Sequence, residues 1–366
     1  MEEKVAAQVI TKYLRKGNMA RCLRDILPSA GLTLEQREEV ANIVHSVVRW
    51  KRLFAYIIEK QGLDSAAATY VRLARKEAQT ESVSYPFEFQ CSCSSYVAKI
   101  LMNQKEWAEY LNESPPTTLC VNLNKSTTAH VLSMLQKDRL PATRSILETA
   151  VHTTSISKYS SVIQGYYAHV QDETSQLVSK IAASLGDIIF DMCAGNGGKS
   201  LAMASLTMNQ KTLHAYEVNN AKRDTLKRRC QQYSAKVIVE DEFPNRFFDV
   251  VLVDAPCSGL GAARRNPEAK YIESVGTLPQ TQRAILTQAA AKVTPGGFLI
   301  YAVCTITPEE TTDVVETIRK KNEFSLIPAK DLSNHEYLQT TTNGFLTRVP
   351  KGDLFFISVL QKPSVF

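Results

Sequence analysis

The sequence predicts an α/β fold: a doubly wound, mainly parallel sheet, preceded by a helical region and a small mixed α/β segment. Two observations carry this. From about residue 172, short apolar runs alternate with stretches of helical period, the order that builds a parallel sheet with helices on its faces. Before about residue 75, apolar residues recur only at helical spacing.

Val5, Ile10 and Leu14 lie along one helical stripe, with Leu23, Ile26 and Leu27 following. Thr33-Leu34-Glu35-Gln36 is a capping box, and the helix behind it carries Val40, Ile43, Val44, Val47 and Val48. Arg49, Lys51 and Arg52 flank Trp50. They read as a solvated helix face; the sharper reading is an RNA-contacting surface. Ser84-Tyr85-Pro86 and Ser114-Pro115-Pro116 interrupt the pattern. A helix over about 95–112 and a mixed stretch to about 165 follow, giving three expected segments: 1–80 helical, 81–165 small α/β and 166–366 doubly wound.

Within the last segment, Asp187–Asp191 reads as a short apolar strand, followed by a glycine-rich turn and a helix at Ser200–Leu206. Strand Thr212–Glu217, helix Ala221–Tyr233 and strands Lys236–Val239 and Asp249–Asp254 come next. A helix near 280–292 leads into strand Gly297–Val303. Thr307-Pro308-Glu309-Glu310 then opens another helix, with threonine as cap, proline at the first position and glutamate three after the cap.

A chain of 366 residues is long enough for two or three domains, and 44% hydrophobic with 22% charged residues is the balance of a soluble globular protein. The net charge of +6 permits an acidic partner such as nucleic acid without demanding one. No apolar run approaches the roughly eighteen residues of a membrane span and no signal peptide opens the chain, so the expected location is the cytoplasm. Eight cysteines scattered over the chain point to reduced thiols. Cys91 and Cys93 form the one close pair, without neighbouring histidines, and no metal site is expected. Nothing calls for more than a monomer.

The loop Asp191-Met192-Cys193-Ala194-Gly195-Asn196-Gly197-Gly198-Lys199-Ser200 joins strand to helix. Its glycines let a ligand approach the backbone, and the helix start offers unpaired N–H groups. It is neither the phosphate loop G-x-x-x-x-G-K-[ST] nor the dinucleotide fingerprint G-x-G-x-x-G, because Cys193 and Ser200 stand where glycines are required. Glu217, ending the second strand, is placed to accept hydrogens from a ribose. Asp241, past the third, could meet an adenine amino group. Singly, each acid could be a solvated strand end; in order with Asp254 they suggest a nucleoside site.

Two cysteines end apolar strands: Asp254-Ala255-Pro256-Cys257-Ser258-Gly259 and Tyr301-Ala302-Val303-Cys304-Thr305. One such cysteine would read as a small buried hydrophobe. Two at equivalent strand ends, on the edge where doubly wound folds build their sites, point to chemistry.

Together with Gln171-Asp172-Glu173-Thr174-Ser175-Gln176-Leu177, the Cys193–Lys199 loop, the run 254–271, the run 301–310 and the closing run 352–360, these motifs resemble the RNA cytosine-C5 methyltransferases, closest to the 16S ribosomal RNA methyltransferase B branch. The resemblance covers about 165–362. It implies a Rossmann-like S-adenosylmethionine methyltransferase domain, with S-adenosylmethionine as cofactor and RNA as partner, ribosomal RNA ahead of transfer RNA. It further implies that Cys304 is the nucleophile, that Cys257 helps release product, that Asp254 holds the base edge, and that Lys199 stabilises charge on the ring. Cys193, Ala194, Gly195, Asn196, Gly197, Gly198, Lys199, Glu217, Asp241 and Asp254 would line the cofactor site, with Arg223 a weaker candidate. The chemistry suits the residue types: a thiolate adding to cytosine carbon 6 makes carbon 5 nucleophilic, and elimination restores the ring.

The helices ending in Val47-Val48-Arg49-Trp50-Lys51-Arg52 resemble a NusB-type RNA-binding domain, shorter than this branch usually carries. The chain departs from the family pattern at Asn196 (usually proline), at Ala302-Val303 (usually Ser-Thr), at Cys120 (commonly arginine) and at Leu354 (usually glycine). None of these removes a catalytic group.

Overall fold

The computed structural model describes residues 1–76, 85–154, 156–322 and 324–364. Ser84, of the break read at Ser84-Tyr85-Pro86, and the boundary expected at 80/81 lie outside them. Where the sequence suggests three successive segments, the contacts divide the chain into two compact units: Met1–Ser114 with Ala262–Ser274, and Pro115–Gly261 with Val275–Phe366.

The first unit is helical. Helices α1 (Glu2–Lys16), α2 (Met19–Ile26), α3 (Leu34–Arg49), α4 (Lys51–Lys60) and α5 (Ala67–Arg75) enclose a core that includes Val9, Ile10, Val44, Val47, Val48 and Phe54. The capping box at Thr33 is formed: its hydroxyl accepts from Gln36 N–H while the Gln36 amide oxygen accepts from Thr33 N–H. The helix expected over about 95–112 is two, α7 (Ser95–Leu101) and α8 (Lys105–Tyr110), preceded by the short α6 (Phe87–Gln90).

The basic cluster beside Trp50 is not a free solvated face, because each of its three cations meets another part of the helical unit. Arg49, 7% exposed, donates to the Arg264 carbonyl at 2.8 Å and to Ser114 Oγ at 2.9 Å. Arg52 donates to the Cys93 carbonyl at 2.9 Å and pairs with Glu88 at 2.8 Å. Lys51 lies over the Tyr271 ring, 4.3 Å from its centroid. The cause is a strap, residues 262–274, bound to the end of α3. Its Tyr271 hydroxyl donates to the Val48 carbonyl and its Lys270 to the Arg49 carbonyl, both helix-end acceptors that need a partner. Glu268 of the same strap accepts from the backbone N–H groups of Asn18 and Met19, each at 3.0 Å, at the start of α2, where a carboxylate is favoured.

The second unit holds two sheets. Strands β1 (Thr117–Val121), β2 (Ala142–Arg144), β3 (Ala150–Thr153) and β4 (Ala168–Val170) pair antiparallel in the order β2-β3-β1-β4, with α9 (Thr128–Lys137) and α10 (Ser161–Gln164) between them in sequence. This small sheet therefore continues past the expected boundary at 165.

Among the described residues the large sheet has nine strands. Strands β5 (Ile188–Asp191), β6 (Thr212–Tyr216), β7 (Val237–Glu240), β8 (Phe248–Asp254) and β9 (Val293–Val303) are parallel, ordered β9-β8-β5-β6-β7. Helices α11 (Glu173–Leu185), α12 (Gly198–Leu206), α13 (Asn220–Gln232), α14 (Leu278–Ala290) and α15 (Thr312–Asn322) accompany them in the chain. Strands β5, β8 and β9 carry nearly continuous apolar runs because both their faces are covered, by separate clusters around Ile189, Val250 and Ile300 and around Phe190, Val251 and Tyr301. Each expected strand is present within a few residues of its expected bounds. Beyond β9 the sheet turns antiparallel through β13 (Phe356–Gln361), with β10 (Ser325–Leu326), β12 (Phe345–Thr347) and β11 (Leu338–Thr340) completing that edge.

Candidate active site

The expected site residues lie at the carboxyl ends of β5, β6, β7, β8 and β9 and in the loops that follow. After β5 the chain makes a turn that only glycine holds easily: Gly195 has φ 56° and Gly197 φ 87°. A side chain at Gly197 would also meet Leu226 Cδ1 at 2.4 Å, so α13 packs directly on the loop. Gly195 N–H donates to Glu217 Oε2 at 2.9 Å, and Glu217 Oε1 accepts from Asn219 N–H at 2.8 Å. The Asn196 carbonyl accepts from Arg229 Nη1 at 2.7 Å. Asn196, where the resemblance implies proline, is thus held by hydrogen bonding. At the helix start, Ser200 Oγ donates to Asp191 Oδ2 at 2.6 Å; burial pushes the Asp191 carboxyl up to about 6.

Glu217 is 8% exposed and tied to the glycine turn, a carboxylate poised for hydroxyl groups. Asp241 differs. Its side chain is 70% exposed, paired with Lys227 at 2.5 Å and Arg223 at 3.6 Å, and hydrogen bonding from Lys227 lowers its pKa. Arg223 also donates to the Glu217 carbonyl at 2.9 Å. Burial raises the Cys193 thiol to about 12, with Asp191 and Asp254 adding to the effect, so Cys193 is a neutral wall of the loop.

Parallel pairing of β8 with β9 sets Asp254 opposite Ala302, which brings the following loops together. Cys257 Sγ and Cys304 Sγ are 3.4 Å apart. Lys199, 8% exposed, donates to Asp254 Oδ2 at 2.5 Å and lies over the Phe355 ring, 5.5 Å from its centroid. Burial disfavours its charge, but Asp254 outweighs that and raises its pKa. The Cys304 thiol is held well above its ordinary value, first by the hydrogen bond with Cys257 and then by burial, while Lys199 pulls the other way. The resting nucleophile candidate is therefore a thiol.

Gly261 closes the loop after Cys257. Its N–H donates to the Cys304 carbonyl and its carbonyl accepts from Leu354 N–H, both at 3.0 Å; a Cβ there would meet the Leu354 carbonyl at 1.9 Å. Leu354 acts through its backbone, so its departure from the family glycine leaves this contact in place. Ala302 and Val303 are buried in the sheet, and Cys120 is 1% exposed in β1, so none of these positions offers a polar side chain to a ligand.

One residue in the site was assigned a different role on sequence grounds. Glu310, read as a capping-box glutamate, turns inward. Thr307 makes no side-chain cap bond; its hydroxyl donates instead to Glu310 Oε2 at 2.8 Å. The capping spacing was the signal, but it could not show which way the carboxylate points.

A family model for the 16S rRNA methyltransferases RsmB/F matches residues 179–361. A probable ribosomal RNA small subunit methyltransferase B of Synechocystis sp. is 29% identical over 275 residues, 69% of this chain and 61% of that protein. The ribosomal RNA small subunit methyltransferase B of Cronobacter sakazakii is 30% identical over 279 residues, 70% of this chain and 63% of that protein. The chain thus spans about three fifths of the length of these relatives. Among solved structures, the crystal structure of PH0851 covers 99% of this chain and 98% of its own with a TM-score of 0.79 at 18% identity, a likeness of fold.

Proposed function

The chain belongs to the 16S rRNA methyltransferase RsmB/F family, and on that premise we propose that it transfers a methyl group from S-adenosylmethionine to carbon 5 of a cytosine in RNA, ribosomal RNA first. The observation that carries this reading is the approach of Cys257 and Cys304 to 3.4 Å beside the Lys199–Asp254 pair. A single nucleophile needs no second thiol; addition followed by elimination gives work to both.

The residues present fit the methyl donor. The turn at Gly195 and Gly197 leaves backbone open to a ligand, with nothing within 4 Å of where a Gly195 side chain would stand, and Glu217 offers a carboxylate to ribose hydroxyls. Cys193–Lys199 and Asp254 complete the lining, and Asp241, at the solvent side of β7, would take the adenine end. When bound, S-adenosylmethionine supplies a methyl group on a cationic sulfur.

The protein groups then divide the work. The Asp254 carboxylate holds the base edge of an unpaired or everted cytosine by accepting from its N4 amino group, since the ring must be reached from its face. With Asp254 so occupied, Lys199 is the cation left to favour the Cys304 thiolate and the charge that develops on the ring. Cys304 gives up its proton to solvent and its Sγ bonds to carbon 6, which leaves carbon 5 able to accept the methyl group that bound S-adenosylmethionine would supply. Loss of the carbon 5 proton then drives out Cys304 Sγ, and Cys257 assists this step.

Cysteine replacement tests the assignment on a cytosine-containing RNA. Cys304→Ala abolishes methyl transfer and adduct formation, whereas Cys257→Ala accumulates a covalent protein–RNA species. The reverse pattern would move the nucleophile to Cys257. Bisulfite mapping of cellular RNA with and without the gene identifies the target; ribosomal RNA unchanged at every cytosine sinks the substrate proposed.

A further inference from the structure

We propose that Glu310 is a positioning residue that sets the spacing of the two thiols by clamping both of their loops to one buried carboxylate. The inference rests on the methyltransferase reading for its purpose, but not for its geometry. Glu310 is fully buried. Its Oε1 accepts from Ser258 N–H at 2.8 Å and from Gln282 Nε2 at 3.0 Å. Its Oε2 accepts from Ser258 Oγ at 2.5 Å, from Thr307 Oγ1 at 2.8 Å and more distantly from Thr305 Oγ1 at 3.4 Å.

These donors are not scattered. Ser258 follows Cys257, Thr305 follows Cys304, and the two hydroxyls also meet each other at 2.9 Å. Gln282 Nε2 donates to the Pro256 carbonyl at 2.9 Å as well, so Cys257 is bracketed on both sides by groups attached to Glu310. The Glu310 backbone is pinned in turn, its carbonyl accepting from the buried Tyr301 hydroxyl at 2.7 Å. A carboxylate receiving only neutral donors in the interior is costly unless every lone pair is used. The arrangement spends that cost on the relative position of two loops whose thiols must act on one ring in sequence. Misplacing such groups by about 1 Å can lower a rate a hundredfold.

The substitutions separate a clamp from simple bulk. Glu310→Ala removes both acceptors. Glu310→Gln keeps an oxygen for the two N–H donors and turns its amide toward hydroxyls, which can rotate to accept. Gln should therefore restore most of what Ala loses.

The first measurement needs neither RNA nor methyl donor. Diamide oxidises the intact chain, taking one hydrogen from each thiol as the Sγ–Sγ bond forms, and peptide mass mapping follows the Cys257–Cys304 disulfide. Closure should slow by roughly tenfold or more in Glu310→Ala and by no more than about threefold in Glu310→Gln. Ser258→Ala, which removes one donor from the Cys257 loop, should fall between them; it decides the matter if Glu310→Ala does not fold. The second measurement is the protein–RNA adduct: Glu310→Ala should retain it as Cys257→Ala does, with methyl-donor affinity unchanged.

Folded Glu310→Ala or Ser258→Ala closing the disulfide at the wild-type rate would overturn the clamp. Loss of donor binding together with loss of the adduct overturns it too, since that marks general damage. Slowed closure with no adduct in any variant, Cys257→Ala included, supports the clamp and counts against the methyltransferase reading.

Discussion

Among the described residues each unit of the molecule buries one lysine, and the two are held in opposite ways. Lys199 ends in a carboxylate, Asp254 at 2.5 Å, and its pKa is raised. Lys270, 1% exposed, ends among neutral oxygens: the Arg49 carbonyl at 2.9 Å, the Cys91 carbonyl at 3.1 Å and the Asn112 side-chain oxygen. Burial pushes its pKa down to about 7, and Arg49 works in the same direction. Burial alone therefore does not mark a lysine as chemical. The partner decides: a carboxylate keeps a cation charged beside thiols, whereas carbonyl oxygens turn a cation into a staple joining the strap, the end of α3 and the Cys91 turn.

The largest effects come from deleting each ammonium. Lys199→Met should lower single-turnover methyl transfer by about a hundred- to a thousandfold, roughly 3–4 kcal/mol of lost transition-state stabilisation. Its stability should change little, because the Asp254 side chain is 32% exposed and can be hydrated. Lys270→Met should do the reverse, costing the helical unit about 3–5 kcal/mol as its buried acceptors lose their donor. Both tryptophans, Trp50 and Trp107, lie in that unit, so their fluorescence during urea unfolding reads it separately. Equal losses of activity and stability in both variants would erase the contrast.

A smaller effect, in pH, sharpens the comparison. The Lys270 pKa is depressed from an ordinary 10.5 to about 7. Between those values the unfolded chain holds a proton the folded one lacks, so stability rises with pH across that window, by at most about 1.4 kcal/mol per unit. The Lys199 pKa is raised, so its contribution is complete below 10.5 and lost only above its folded value; it adds no slope near neutrality. From pH 7 to 8.5 the helical unit should gain about 1–2 kcal/mol, and Lys270→Met should flatten the curve. The window stops there because the buried Cys91 and Cys93 thiols, raised to about 11 and about 12, act with the opposite sign at higher pH. A wild-type curve flat over that window would contradict the depressed pKa.

The same contrast explains what the sequence made legible. The succession of strands along the chain, the glycine turn, and the placing of Glu217 and both thiols at strand ends were readable because each is a local pattern: a period, a turn residue, a polar residue ending an apolar run. Arg49, Arg52 and Glu310 were misjudged because their partners come from distant segments. Arg49 meets Arg264, and Glu310 meets Ser258 and Gln282. Periodicity says which residues of an element share a face. It does not say what the end of that element meets, and these charges all sit at ends. Strands β11 and β12 were missed for a related reason, since strands of three residues carry too little alternation to register.

Arg229 gives the smallest expected effect and tests where the contrast stops. Like Lys270 it donates to a backbone carbonyl, that of Asn196 at 2.7 Å, and its guanidinium lies over the Tyr233 ring, 5.6 Å from the centroid. Unlike Lys270 it is only half-buried, so water can replace it when it is removed, and the helical unit is not involved. What Arg229→Ala takes away is one hydrogen bond steadying the turn between Gly195 and Gly197, worth about 1 kcal/mol. That corresponds to roughly fivefold weaker binding of the methyl donor or its demethylated product. The turnover rate at saturating donor should be unchanged, because Lys199, Asp254 and both thiols keep their partners. Calorimetric titration with S-adenosylhomocysteine measures the loss, and Arg229→Lys should recover part of it. Wild-type affinity in Arg229→Ala would show that Glu217 and the packing of Leu226 hold the turn without help from a cation, so that carbonyl-bound cations in this chain matter only where water is excluded.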